Sequence, residues 1–66
     1  MTNISEFYDV VAVDQKTNTT RMIAEGKTLR NAEAIEMMAV ARRGVENEFF
    51  AVTPAGKYKD GHRWCG

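Results

Sequence analysis

The chain has one cysteine, one proline and one serine among its 66 residues. A lone thiol excludes a disulfide framework, and Cys65 with the one histidine, His62, cannot supply the four ligands of a tetrahedral zinc site within one chain. Ser5 and Cys65 both stand near a chain end, so the sequence offers no nucleophile held against a fixed base. Charge of one sign is also missing: nine Lys and Arg balance nine Asp and Glu, which removes net charge as a pointer to nucleic acid or membrane. No apolar run approaches the length of a transmembrane helix, and residues 1–8 lack the basic and apolar regions of a secretory leader. These absences predict a cytoplasmic, non-enzymatic chain with no membrane partner, no metal and no cofactor.

What is present describes a folded module. A composition 44% hydrophobic and 27% charged is that of a globular protein, and the length allows a single domain over 1–66, with its core in 7–53 and a terminal segment in 54–66. Domains this small often need a disulfide, a metal or a partner to be stable. With the first two missing, self-association into a homodimer is expected.

The element order reads as α+β, ββαβ. Residues 7–14, with consecutive Val10, Val11, Ala12 and Val13, form a first strand apolar on both faces and therefore central. Asn18 suits a left-handed turn and leads to a second strand over 19–25, giving a hairpin. Thr28 offers a helix N-cap, and 29–43 is free of Gly and Pro and rich in Ala, Met, Glu and Leu, so it is read as a helix stopped by Gly44. A third strand over 46–53 ends at Pro54. The expected sheet is mainly antiparallel and covered by one helix. Asp60-Gly61 between two short arms signals a two-residue type I′ turn, so 54–66 is read as a C-terminal β-ribbon or, since three-residue arms are marginal, as a tail.

Helical periodicity assigns Ala32, Ala34, Ile35, Met38 and Ala39 to the sheet side. Leu29 and Val40 fall on another side beside Glu33, Glu36 and Arg43, and Met37 points nearly opposite Ile35. These extra apolar positions either pack under a loop or the C-terminal segment, or form an interface to a second copy or a protein target. Phe49 and Phe50, being adjacent, must face opposite sides of the sheet. One helix leaves the second sheet face open in this reading, so one phenylalanine is in the core and the other is covered by the terminal segment or used in assembly.

Chemistry-bearing patterns are few. Glu33 with Glu36 and Asp9 with Asp14 lack a partner that would fix acid–base geometry. Gly26-Lys27-Thr28 has only the closing letters of a phosphate-binding loop. The densest signal is Lys57, Tyr58, Lys59, His62, Arg63 and Trp64, in which cations alternate with aromatics. That interleaving suits single-stranded nucleic acid, a protein interface, or a solubilising tail whose tryptophan closes one end of the core.

The hairpin, the helix opening Thr28-Leu-Arg-Asn-Ala-Glu-Ala34 and the Phe-rich strand resemble small phage-encoded host-takeover proteins, namely short inhibitors of bacterial RNA polymerase and anti-CRISPR-type proteins. The resemblance spans Tyr8 to Thr53. It implies a compact inhibitor or adaptor that occupies a surface of a bacterial host protein complex; the basic aromatic segment, read from its residues, supports nucleic-acid binding as the alternative. The polymerase inhibitors carry basic contact residues around the strand after the helix, where this chain has Asn47-Glu-Phe-Phe-Ala-Val52, so no contact residue is transferred.

Overall fold

β1 (Tyr8–Asp14) pairs antiparallel with β2 (Thr19–Lys27) on one side and β3 (Glu48–Pro54) on the other, giving the sheet order β2-β1-β3. The structure is a computed structural model and describes residues 6–42 and 47–65. The valine run of β1 is central as its pattern requires: Val10, Val11 and Val13 are fully buried. At the hairpin, Asn18 adopts φ 61° and donates its N–H to the Asp14 carbonyl at 2.6 Å, while the Asp14 carboxylate accepts from the Lys16 N–H at 2.8 Å. β2 runs to Lys27, two residues beyond the expected 19–25, after a bulge at Ile23 and a second irregularity where Gly26 takes φ 66°.

The helix α1 (Leu29–Ala41) is capped by Thr28, whose hydroxyl accepts the Asn31 N–H at 3.2 Å, and ends at Arg42. Arg43, Gly44 and Glu46, where the helix end and the start of the third strand were expected, lie outside the described residues. α1 connects two strands that flank β1 and crosses the sheet to do so. It covers the face that carries Val10, Ala12, Phe50 and Val52, with Ala32 fully buried against it. Ile35, Glu36 and Ala39 are half-buried, but Ala34 and Met38 are exposed, which corrects the expected helix face. The helix is rotated so that Ala32 and Ala39 lead. With little bulk on either residue, the backbone approaches the sheet closely, and Met38 is turned out to the flank.

The second sheet face is not open: of the two alternatives left for it, cover by the terminal segment and use in assembly, the structure has the first. Residues 55–65 form a strap across it, and Tyr58 packs on Val11 and Val13 with Met22, Phe49, Ala51 and Trp64 around it. The two phenylalanines do face opposite sides, Phe49 toward the strap and Phe50 toward the helix. No ribbon forms in the strap. Asp60 and Gly61 occupy the centre of a turn in which the His62 N–H donates to the Lys59 carbonyl at 3.0 Å, but only Gly61 has positive φ (84°), the pattern of a type II turn rather than I′. The arms therefore do not pair with each other; Arg63 bridges to Thr19 of β2 instead.

Candidate functional site

The strap brings the basic aromatic residues to the β2 edge. Thr20 donates its N–H to the His62 carbonyl and accepts the Gly61 N–H, both at 2.8 Å, and the buried Thr20 hydroxyl reaches the Lys59 and His62 carbonyls at 2.9 Å. Met22 donates to the Asp60 carboxylate at 2.7 Å, and Asn18 is joined to Trp64 by two bonds, at 2.8 and 3.0 Å. Beneath this edge Trp64 stacks on Tyr58, with ring centroids 5.1 Å apart and planes 25° apart, and meets Phe49 edge-on at 5.6 Å. Tyr58 is only 4% exposed, and its hydroxyl accepts the Cys65 N–H at 3.2 Å. Lys57, Lys59, His62 and Arg63 remain at the surface, Lys57 over the Tyr58 ring at 5.5 Å. The aromatics and cations are thus adjacent in sequence but segregated in space, rings inward and charges outward.

Asp9 belongs to the architecture. It is 3% exposed, its Oδ1 accepts the Gly26 N–H at 2.9 Å and its Oδ2 accepts the Gly56 N–H at 3.0 Å, so one carboxylate clasps the ends of β2 and β3. Asp14 caps its own turn, so the two acids of β1 do not converge on a common point. Among the described residues no group of three or more His, Cys, Asp or Glu is placed to hold a metal ion, and no helix is long and apolar enough to cross a membrane.

The helix surface is different. Leu29 is 46% exposed, Met37 71%, Met38 54% and Val40 52%, so much of its solvent side is apolar. At about 100° per residue, these fall into two groups. Met38, with Ile35, Ala39 and Arg42, lines a groove of about 220 Å³ against Ile23 of β2. Leu29 and Val40 share the opposite flank, above β3, and Met37 crowns the helix between them. Sequence reasoning singled out Leu29, Met37 and Val40 but missed the Ile23–Met38 groove; the adjacent pair Met37-Met38 was the available signal, since two neighbouring methionines cannot both face one sheet.

A second, open depression of about 490 Å³ lies at the end of the sheet, lined by Glu6, Phe7, Tyr8, Pro54 and Ala55. There the Glu6 carboxylate accepts the Tyr8 hydroxyl at 3.2 Å. That bond, and the repulsion a phenolate would feel from Glu6, raise the Tyr8 hydroxyl above its ordinary value of 10.0. No family model matches this chain, and no curated protein and no solved structure shows a significant match to it.

Proposed function

We propose that the chain is a non-enzymatic binding protein that occupies a surface of a bacterial host protein complex, acting in the host cytoplasm as the phage-encoded proteins it resembles do. The observation that carries the reading is the outer helix face, where Met37 and Met38 stand exposed beside the apolar Ile23–Ala39 groove. A surface helix in a stable monomer gains nothing from two exposed methionines. A binding helix gains an unbranched, polarizable side chain that adapts to the surface it meets. The nucleic-acid alternative is less well supported, because Tyr58 and Trp64 are stacked on each other and on the sheet and so give a base no free ring.

The test is capture from bacterial lysate on the immobilised chain, with and without nuclease, against Met37→Glu and Met38→Glu. Both positions are exposed, so the variants should fold, as circular dichroism would verify. A bound protein that resists nuclease and is lost from the variants is expected. Retention that disappears with nuclease, or that both variants keep unchanged, would refute the reading.

A further inference from the structure

The two edges of the sheet are finished differently. Gln15 donates to the Asn47 carbonyl at 2.7 Å and Ala55 to the Phe7 carbonyl at 3.0 Å, and these two pairs continue the β1–β3 register at its ends. Hydrogen-bonded pairs alternate along an antiparallel ladder, so Phe49, Ala51 and Thr53 turn their peptide groups toward β1. Phe50 and Val52 turn theirs outward. On β2 the same alternation turns Thr20 and Met22 outward, and there the strap takes up the Thr20 N–H, the Thr20 carbonyl and the Met22 N–H. On β3, no backbone or side-chain group among the described residues bonds to Phe50 or Val52 from outside. Nor does the segment Phe49-Phe-Ala-Val-Thr53 contain a lysine, an inward charge or a proline that would blunt an edge.

We infer that the β3 edge pairs with the β3 of a second copy, antiparallel and centred on Ala51, to form a continuous six-stranded sheet. Strand self-pairing succeeds only where the sequence is compatible with its own reverse, and this one is. About that centre Phe50 faces the partner's Val52, and the two exchange both N–H···O bonds; the twofold repeats them. Ala51 meets the partner's Ala51 at a non-hydrogen-bonded position, where Cα atoms approach to about 4.5 Å and small side chains fit. Phe49 faces the partner's Thr53. Glu48, the one charge in the strand, faces the partner's Pro54 rather than another carboxylate, so no like charges are forced together.

The helix presents an apolar flank beside the same edge. A twofold axis perpendicular to the sheet leaves both helices on the same face. The flank of α1 above β3 carries Leu29 and Val40, both about half exposed, and pairing at β3 turns these flanks toward each other across the axis. The open edge and the apolar flank are therefore parts of one continuous surface. Glu33 and Glu36 lie on or near that flank, so rising salt, which screens their repulsion, should not weaken the dimer.

Sedimentation equilibrium of the full chain carrying Cys65→Ser tests the inference, together with two further substitutions in that background. Val52→Pro removes an N–H that points away from β1, so it spares the internal ladder; it should raise the dimer dissociation constant at least tenfold while circular dichroism is kept. Ala51→Cys should form a disulfide-linked dimer under mild oxidation, whereas Thr17→Cys, in the exposed hairpin turn, should not. A monomer mass for the Cys65→Ser chain at micromolar concentration overturns the inference. So does a dimer in which Ala51→Cys stays unlinked. Should Val52→Pro fail to fold, the cysteine pair decides alone. Loss of host-protein capture through Met37→Glu with the dimer intact would separate this surface from the one assigned to the target.

Discussion

Replacing Asp9 by alanine should cost more stability than any other single change of a charged residue in this fold. The carboxylate lies within the central strand and accepts from Gly26 at 2.9 Å and Gly56 at 3.0 Å, thereby fastening the end of β2 and the start of the strap to β1. A hydrogen bond to a charged group contributes about 1.5–3 kcal/mol. Both glycines reach solvent, and water can replace part of each bond, so the lower end applies and the pair contributes about 3 kcal/mol. A chain of this length has about 3–10 kcal/mol of stability in all. Asp9→Ala should therefore sit near the unfolding threshold. Asp9→Asn keeps one accepting oxygen but points its amide at the other glycine's N–H, so at least half the loss should remain. Urea unfolding followed by the fluorescence of Trp64 measures this directly. With a slope of about 1 kcal/mol per molar urea, the low end for small domains, the midpoint should fall by about 3 M for the alanine variant. A loss under about 1 kcal/mol would mean that water satisfies the two glycines as well as Asp9 does, and the clasp would be dismissed.

Thr53 is buried, and its hydroxyl finds no hydrogen-bond partner among the described residues. Thr53→Val should raise stability by about 1 kcal/mol, since it removes an unsatisfied polar group at nearly constant volume; a lower melting temperature would show that the hydroxyl has a partner. Trp64→Ala removes the ring that stacks on Tyr58 and meets Phe49, and should destabilise by about 3 kcal/mol. Hydrogen exchange should then show the Thr20 and Met22 amides losing protection ahead of Val11 and Val13; simultaneous loss would mean the strap and the sheet unfold as one unit. Glu6→Gln should lower the titration midpoint of Tyr8, followed by NMR of its ring protons, because the substitution removes the negative charge that opposes phenolate formation; an unchanged midpoint would dismiss the Glu6 contact.

The hairpin, the helix cap and the central strand were legible because each is written in local chemistry. Asn18 at positive φ, Thr28 accepting from Asn31 and the unbroken run Val10-Val-Ala-Val13 each need only near neighbours. The strap was not legible. Its placement rests on Thr20 meeting Lys59 and His62, about forty positions away, through backbone groups that every residue shares. The alternating cations and aromatics of 57–64 consequently left a nucleic-acid surface, a protein interface and a tail whose tryptophan closes the core as open alternatives, and none of them placed Tyr58 at the centre of the core. The rotation of α1 escaped for another reason. Five apolar candidates, three of them alanine, pin the helix angle weakly, and close approach at Ala32 won over burial of Met38.

The strap also bears on how so short a chain, with a single cysteine, can hold together. Tyr58 and Trp64 give the second sheet face the apolar cover that a second helix would provide in a larger domain, and full burial of an aromatic ring contributes about 1.5–3 kcal/mol. That is comparable with what one disulfide contributes to a small domain, about 2–4 kcal/mol. Because the strap reaches this face by running along β2, it closes one sheet edge as it covers one sheet face. Self-association through the sheet face, one of the two routes the sequence left open beside the helix's second apolar side, is thereby blocked. Among the described residues, the large apolar side chains left exposed are Leu29, Met37, Met38 and Val40 on the outer helix and Phe7 at the end of the sheet. If that partition holds, deleting residues 57–66 should unfold the chain rather than free a sheet face for pairing. A folded, strapless domain by circular dichroism, with Val11 and Val13 amides still protected from exchange, would show that cover is not the strap's role.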